Sequence, residues 1–367
     1  MNDFAIDELA IPASLDPAGE SGTASTDGTA GKNVAPSSVA AFVEMTTVRN
    51  EVEAEIVGSH DLAVEPGELL PGWLDRYSPK RLFVARVGGK IVARAVHEVQ
   101  SGEAVRSAWL SVEVLPAYRR RGIGTALHRR VAEIARTEGR TIVQCFVLHT
   151  PGLAGERIDS PTGFGSVPAS DDGSRFLVSH GYRLAQVERM SRLILPATPM
   201  DPELAHGYDF LSWQGPTPPE RQGQLAVLHA AMSTDVPLGG IDYEPEQWDA
   251  TRVKLLDERI AGDGRLTLTV AARHLVSDTL VGFTTLSVPA DDSRPVFQED
   301  TIVIDPHRGY RLGMALKREN LRVLAELDGA YQRVYTWNAE ENRHMLEVNE
   351  ALGFVPVGYS GSWRREI

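Results

Sequence analysis

The chain has 367 residues, 42% of them hydrophobic and 24% charged, with a net charge of −13. That composition excludes a disordered or fibrous chain and supplies apolar material for two cores. It argues against a nucleic-acid-binding protein, whose surface is normally basic, whereas an acidic surface suits a cationic partner such as an amine or serves solubility alone.

Residues 1–38 are rich in Gly, Ala, Ser, Thr and Asp and nearly free of large apolar side chains after Leu15, so a disordered tail is expected there. Regular patterning begins near Ala40. Val43–Ile56 reads as helical or mixed, and Leu82–Val87, Gly88-Gly89 and Lys90–Val96 read as a hairpin with a Gly-Gly turn. A strand over Val105–Val114 leaves through Leu115-Pro116 into the run Arg119-Arg120-Arg121-Gly122-Ile123-Gly124. Ile123, Leu127, Val131 and Ile134 then recur at helical spacing, with Gly139 as the stop. Two glycines and three cations therefore stand where a helix begins. First-turn N–H groups have no partner inside the helix and carry partial positive charge, which makes this a pyrophosphate cradle. It lacks the spacing of a Walker loop.

Thr141–Leu148 is the next strand and contains Cys145, which reads as a small core residue; a single cysteine leaves no intramolecular disulfide. The long Thr150–Ser170 segment reads as a binding loop or lid. A short helix ending at Gly181, a strand over Leu184–Leu195 and the linker Pro196–Pro199 follow.

The same order then recurs. Leu266–Ala272 and Thr279–Val288 pair around Ser277-Asp278, and Phe297–Ile304 ends at Asp305-Pro306. A second basic loop spans His307–Gly313, followed by a helix to Gly329, a strand over Arg333–Trp337, a helix over Asn342–Leu352 and a last strand from Phe354. With Pro116 and Pro306 marking matched points, internal duplication is the main organising feature.

The run Val114, Pro116, Arg119, Gly122, Gly124 resembles motif A of the GNAT superfamily of N-acetyltransferases, V-x-P-x-x-[RQ]-x-x-G-x-[GA]. The resemblance covers the chain from about residue 40 to its end. It implies an α/β fold of two tandem GNAT domains, 39–196 and 200–367, each a twisted, mostly antiparallel mixed sheet flanked by helices. It implies acetyl-CoA as the cofactor. It also implies that Val112, Val114, Arg119, Arg120, Arg121, Gly122, Ile123, Gly124 and Thr125 bind it, with the first half as the expected site. The second loop has Arg311 where the family has its first glycine, and Gly309 two residues earlier; Arg308 and Gly313 are its candidate contacts. Asn342 matches the family asparagine that touches the pantetheine arm, and a helix N-cap is its other reading. Many members carry a tyrosine acid four residues before the glycine that ends this helix; here those positions hold Leu177 and Asn349.

Acyl transfer to an amine needs a base, a polarised carbonyl and alignment. Glu113 and His149 are the candidate bases, each also readable as structural. Glu299 and Asp300 are their second-half counterparts, and His180 and His344 are weaker candidates. No metal-site spacing and no nucleophile elbow occurs, so no metal is expected. The expected function is acetyl-CoA-dependent N-acetylation of a small amine by a soluble cytoplasmic monomer, without nucleic acid or membrane partners. The expectation of a soluble cytoplasmic protein rests on the absence of a run of ~18 apolar residues and of a basic-then-apolar leader. The alternatives are a CoA- or acyl-CoA-binding protein without transferase activity and a tRNA-dependent aminoacyl transferase of the same fold.

Overall fold

The computed structural model describes residues 3–16, 38–102, 105–197, 204–235 and 237–367. They fall into two compact units, one of residues 1–146 with 364–367 and one of residues 147–363.

The first unit holds β1 (Ala5–Leu9), α1 (Ser38–Val57), α2 (Pro66–Trp73), β2 (Lys80–Val87), β3 (Lys90–Glu98), β4 (Ser107–Val114), α3 (Ile123–Thr137) and the start of β5 (Ile142–His149). Its sheet runs β1-β2-β3-β4-β5. Neighbours are antiparallel up to β4, and β5 is parallel to β4. Gly88 and Gly89 turn the β2–β3 hairpin with φ of 58° and 87°, the left-handed geometry that a two-residue turn demands. Strand alternation separates two faces. Leu82 and Val84 join Phe42, Met45 and Val48 of α1, while Phe83 between them lies under Arg130 of α3.

The disordered-tail expectation fails for Ala5–Leu9. This stretch pairs with β2 from Ala5↔Arg86 to Leu9↔Leu82, Glu8 meets Arg81 at 2.8 Å, and Leu9, Ile11 and Leu15 pack on the α1 core. Sparse apolar residues suffice because the strand pairs with an existing sheet edge and its apolar side chains add to an existing core. Residues 17–37 of the expected tail lie outside the described residues. Deleting residues 1–16 should lower Tm by several degrees in a thermal melt, because it bares the edge of β2.

The second unit contains the pair β6 (Arg157–Asp159) and β7 (Ser166–Pro168), then α4 (Asp172–Ser179), β8 (Arg183–Ile194), β9 (Tyr208–Gln214), α5 (Gln222–Asp235) and α6 (Ala250–Gly262). It continues with β10 (Leu266–His274), β11 (Thr279–Val288), β12 (Val296–Val303), α7 (Leu312–Ala325), β13 (Arg333–Ala339), α8 (Arg343–Ala351) and β14 (Val355–Glu366) through Trp363. The strand order is β14-β8-β13-β12-β11-β10-β9. On one face Ala271 and Ile302 pack against Leu225 and Leu228 of α5 and Val253 of α6. On the other, Val270 and Ala272 pack against Leu312 and Leu316 of α7.

The packing boundary differs from the boundary between the sequence repeats. β8 closes the first repeat, yet it pairs antiparallel with β13 from Arg333↔Ile194 to Ala339↔Glu188 and so belongs to the second unit. Residues 198–203, which hold part of the expected linker, lie outside the described residues. Among the described residues no helix is long and apolar enough to cross a membrane.

Candidate functional site

The two basic loops share one backbone. Each leaves its strand through a single 3-10 turn, Pro116–Tyr118 or Asp305–His307, so Pro306 sits one place later in its turn than Pro116. Each then makes two left-handed residues before its helix. In the first loop these are Arg120 (φ 62°) and Gly122 (φ 82°); in the second they are Gly309 (φ 85°) and Arg311 (φ 58°). The glycine and the arginine have exchanged places on an unchanged path. Gly122 and Arg311 are the N-caps of α3 and α7. Arg311 therefore does not displace the loop, although a non-glycine residue there is strained.

Both helix starts face open space. A Cβ on Gly122 or on Gly313 would meet no protein atom within 4 Å. The first intrahelical bonds are Ala126 N–H to Gly122 C=O and Ala315 N–H to Arg311 C=O. The amides of Ile123, Gly124 and Thr125, and of Leu312, Gly313 and Met314, are thus first-turn donors. Arg120 and Arg311 are exposed beside them.

Each loop also adjoins a parted pair of parallel strands. β4 and β5 pair only from Ser107↔Ile142 to Trp109↔Gln144, and β12 and β13 only at Val296↔Val334 and Phe297↔Tyr335. Leu115 N–H bonds to Val92 C=O on the β3 side. By alternation the amides of Val112 and Val114 point to the open edge. Ile304 N–H bonds to Val281 C=O in the same way, which turns Thr301 and Val303 outward. A free strand edge, free helix-start amides and unobstructed space suit an extended amide-bearing chain that ends in a pyrophosphate.

Several residues expected at the phosphates have other work. Arg119 Nε donates to Val114 C=O at 3.0 Å and its guanidinium pairs with Glu55. Arg308 repeats this on Val303 C=O at 2.9 Å, with Asp305 and Asp235 as ion partners. Both brace the loop against its strand. Arg121 donates to Ala117 C=O at 2.9 Å and lies over the Tyr118 ring. Ile123 is buried in the core, so only its amide can serve a ligand. Asn342 is the N-cap of α8, accepting from Met345 N–H at 3.3 Å, so the capping reading describes its oxygen.

The two catalytic candidates of the first repeat are occupied. Glu113 makes a two-pronged pair with Arg94, whose side chain is 7% exposed; the second contact measures 2.9 Å. Both carboxylate oxygens are thereby engaged. Glu113→Ala should cost about 3–5 kcal/mol by stranding Arg94, and differential scanning calorimetry should show the loss. His149 lies in the second unit, buried, with Nδ1 2.6 Å from Asp171 Oδ2 and Trp363 Nε1 donating to Nε2 at 3.4 Å. The tryptophan N–H faces Nε2 and the Asp171 carboxylate faces Nδ1, so both ring nitrogens are engaged. Burial raises the Asp171 carboxyl, but bonds from His149 and Ser174 outweigh it and hold it below the usual carboxylate range. Neither ring nitrogen is left to accept a substrate proton. His180 bonds Phe176 C=O at 2.7 Å, and His344 is exposed on α8. Cys145 is buried, as a core residue should be.

Glu299 and Asp300 fare differently. The β11–β12 register runs Thr284↔Thr301 and then Leu286↔Gln298, so these two residues oppose Thr285 alone in a β-bulge. The β3–β4 register has no such break. Both side chains reach solvent, yet the walls around them disfavour charge. Burial, then Asp300, pushes Glu299 up to about 7; burial, then Glu246, pushes Asp300 up to about 6. Among the described residues the Glu299 carboxyl has no hydrogen bond or ion pair. Asp300 Oδ2 lies 3.8 Å from His229 Nδ1. That imidazole is stacked on Trp248 at 4.5 Å and held neutral, its pKa lowered to about 4 by burial and then by Arg252. Two further carboxyls escaped the sequence reading. Burial raises Glu53 of α1 to about 7 against the pull of Arg49, 2.9 Å away. Burial and then Glu341 raise Glu188 of β8 to about 7. Nothing in local sequence marks either, because distant elements supply their walls.

Residues 47–151 match the acetyltransferase (GNAT) family. The chain carries a GNAT domain. Its fold over the full length is the tandem GNAT fold. A tandem GNAT protein from the clavulanic acid biosynthesis pathway superposes with a TM-score of 0.71 at 21% identity, covering 99% of this chain and 98% of that one. A GCN5-related N-acetyltransferase from Sphaerobacter thermophilus gives 0.64 at 15% identity, covering 100% and 96%. An acetyltransferase, described as putative, from Pyrococcus horikoshii gives 0.55 at 13% identity, covering 100% and 90%. A search of curated protein sequences gives no match. The GNAT fold supports acyl transfer as the reaction class.

Proposed function

We propose that this GNAT protein is an acetyl-CoA-dependent N-acetyltransferase for a small amine, with the chemistry in the second unit and a second donor site in the first. One observation carries the reading. The open edge of β12 adjoins both a helix start with free amides and two carboxyls whose pKa values are raised into the working range. Acetyl-CoA supplies the acyl group. Glu299 or Asp300, ionised, takes the proton that a cationic amine must lose before it attacks. The amides of the bulged strand polarise the thioester carbonyl of the donor, and the α7 amides with Arg311 hold its anionic end.

In the first unit, the occupation of Glu113 favours binding without chemistry. The net charge of −13 favours an amine over a charged tRNA as acceptor. A monomer is the assembly proposed, because a duplicated chain can satisfy within itself the pairing that single-domain relatives make. Release of free thiol from acetyl-CoA, measured across a panel of small amines, tests the activity. Turnover lost in Gly313→Asp and retained in Gly122→Asp supports chemistry in the second unit. Binding without turnover for any amine would make the chain a CoA-binding protein.

A further inference from the structure

One buried cation lies outside everything assigned so far. Lys317 is 2% exposed, and among the described residues its only polar partner is Asn349 of α8, whose Oδ1 accepts from Nζ at 2.8 Å. The Asn349 amide in turn donates to Asn338 Oδ1 at 2.6 Å, on the stretch of β13 that has parted from β12. No charged side chain from α7, α8, β12 or β13 acts on the ammonium; burial alone lowers its pKa, to about 7.

Its place on α7 is specific. Lys317 stands four residues after Gly313, on the same helix face and one turn below the amides at the loop. Helical side chains lean toward the N-terminus, so the lysine stem runs back under that turn. Asn320, on the sheet-facing side of the same helix, is tied to Leu268 C=O and Thr284 C=O at 3.1 and 3.3 Å, which fixes how α7 sits on the sheet. A buried ammonium is costly unless its charge is used or matched, and one amide oxygen is a modest match. Asn349 also stands where related proteins often have a tyrosine acid, so the side chain there cannot itself give up a proton.

We propose that Lys317 donates a proton to the thiolate that leaves when the second unit transfers an acyl group from coenzyme A, a role that rests on the reading above. As the amine nitrogen bonds to the acyl carbon, the carbon–sulfur bond breaks and sulfur keeps the electron pair. Lys317 Nζ gives that sulfur a proton. The proton shed by the amine nitrogen passes to Glu299 or Asp300 and on to solvent, and Lys317 regains one from solvent before the next turnover. The Asn349–Asn338 chain holds Nζ at the gap throughout.

The test reads the thiol of bound coenzyme A, so it needs no knowledge of the amine. Calorimetry with free CoA counts sites in the wild type and in Gly313→Asp, and ultraviolet thiolate absorbance follows the bound thiol against pH. In the wild type, one bound thiol should ionise at least one pH unit below the thiol of free coenzyme A titrated alongside it. That population should vanish in Gly313→Asp. Lys317→Met should return it to the ordinary range or above, with CoA affinity changed less than threefold. Lys317→Arg should keep the low-pH ionisation, since guanidinium is always charged, yet cut turnover at least a hundredfold because it cannot release a proton. Should Lys317→Met fold poorly, the arginine variant still decides. A site lost in Gly313→Asp, with thiol titration unchanged in Lys317→Met or turnover kept in Lys317→Arg, overturns the lysine alone. No site lost in Gly313→Asp overturns the placement of chemistry in the second unit, and Lys317 with it.

Discussion

Gly122→Asp should remove CoA binding from the first unit while leaving the fold intact, with affinity falling a hundredfold or more. Gly122 caps α3 with φ of 82°, and a Cβ there meets no protein atom within 4 Å. Aspartate is among the non-glycine residues that best tolerate left-handed geometry, at some cost in strain. Its carboxylate would accept from the first-turn amides and settle against the positive end of the helix. The same carboxylate occupies the anion site from within. Charge-assisted contacts of the kind lost contribute about 1.5–3 kcal/mol each, so losing one weakens binding roughly ten- to a hundredfold. The introduced negative charge adds repulsion. Calorimetric titration of acetyl-CoA should therefore lose a site while Tm falls by only a few degrees, the cost of a non-glycine residue at φ 82°. Arg120→Ala should be milder, since it removes one exposed cation and leaves the amides free. Unchanged stoichiometry in Gly122→Asp would place all binding in the second loop.

What local chemistry specifies was legible in the sequence. The Gly88-Gly89 hairpin, the amphipathic run of α3 with its stop at Gly139, and the recurrence of strand, loop and helix all depend on residues within a few positions of one another. The exchange of glycine and arginine between the loops was half legible. Gly309 and Arg311 looked misplaced against the first loop, but two left-handed positions on one path show that each loop spends its single favourable residue at a different one of two equivalent places. Roles that depend on distant partners stayed hidden. Arg119 reads as a phosphate cation until Glu55, on α1, is seen to hold it. Glu113 reads as a free strand carboxylate until the β3–β4 register sets it opposite Arg94. β8 reads as the end of one repeat until its pairing with β13 places it in the other unit. The bulge at Glu299 and Asp300 has no glycine or proline to announce it, and Lys317 looks like any helix lysine until its burial is known.

Glu299→Gln combined with Asp300→Asn should reduce kcat/KM at least a hundredfold at pH 7.5 and yet raise Tm at the same pH. General-base assistance contributes about 10²–10⁴-fold, which sets the scale of the loss. The rise in stability follows from the direction of the pKa shifts. Both carboxyls have folded-state values above their ordinary ones, about 7 and about 6, so the fold favours their protonated forms. That preference contributes fully below the unfolded-state pKa values near 4, and it is lost as pH rises through 6 and 7. Above that window the fold holds two adjacent carboxylates where desolvation and neighbouring carboxylates disfavour charge. Neutral amides relieve this, so the variant should gain Tm at pH 8 and show no gain at pH 4. The activity profile runs the opposite way. Wild-type kcat/KM should climb through pH 6–7 as the base ionises, and that limb should disappear in the double variant. Each single variant should keep part of the limb, with Glu299→Gln moving what remains toward the lower pKa of Asp300. A double variant that loses stability at pH 8, or keeps the wild-type limb, would return the two carboxyls to a structural role and leave Glu188 or Glu53 as the next base to examine.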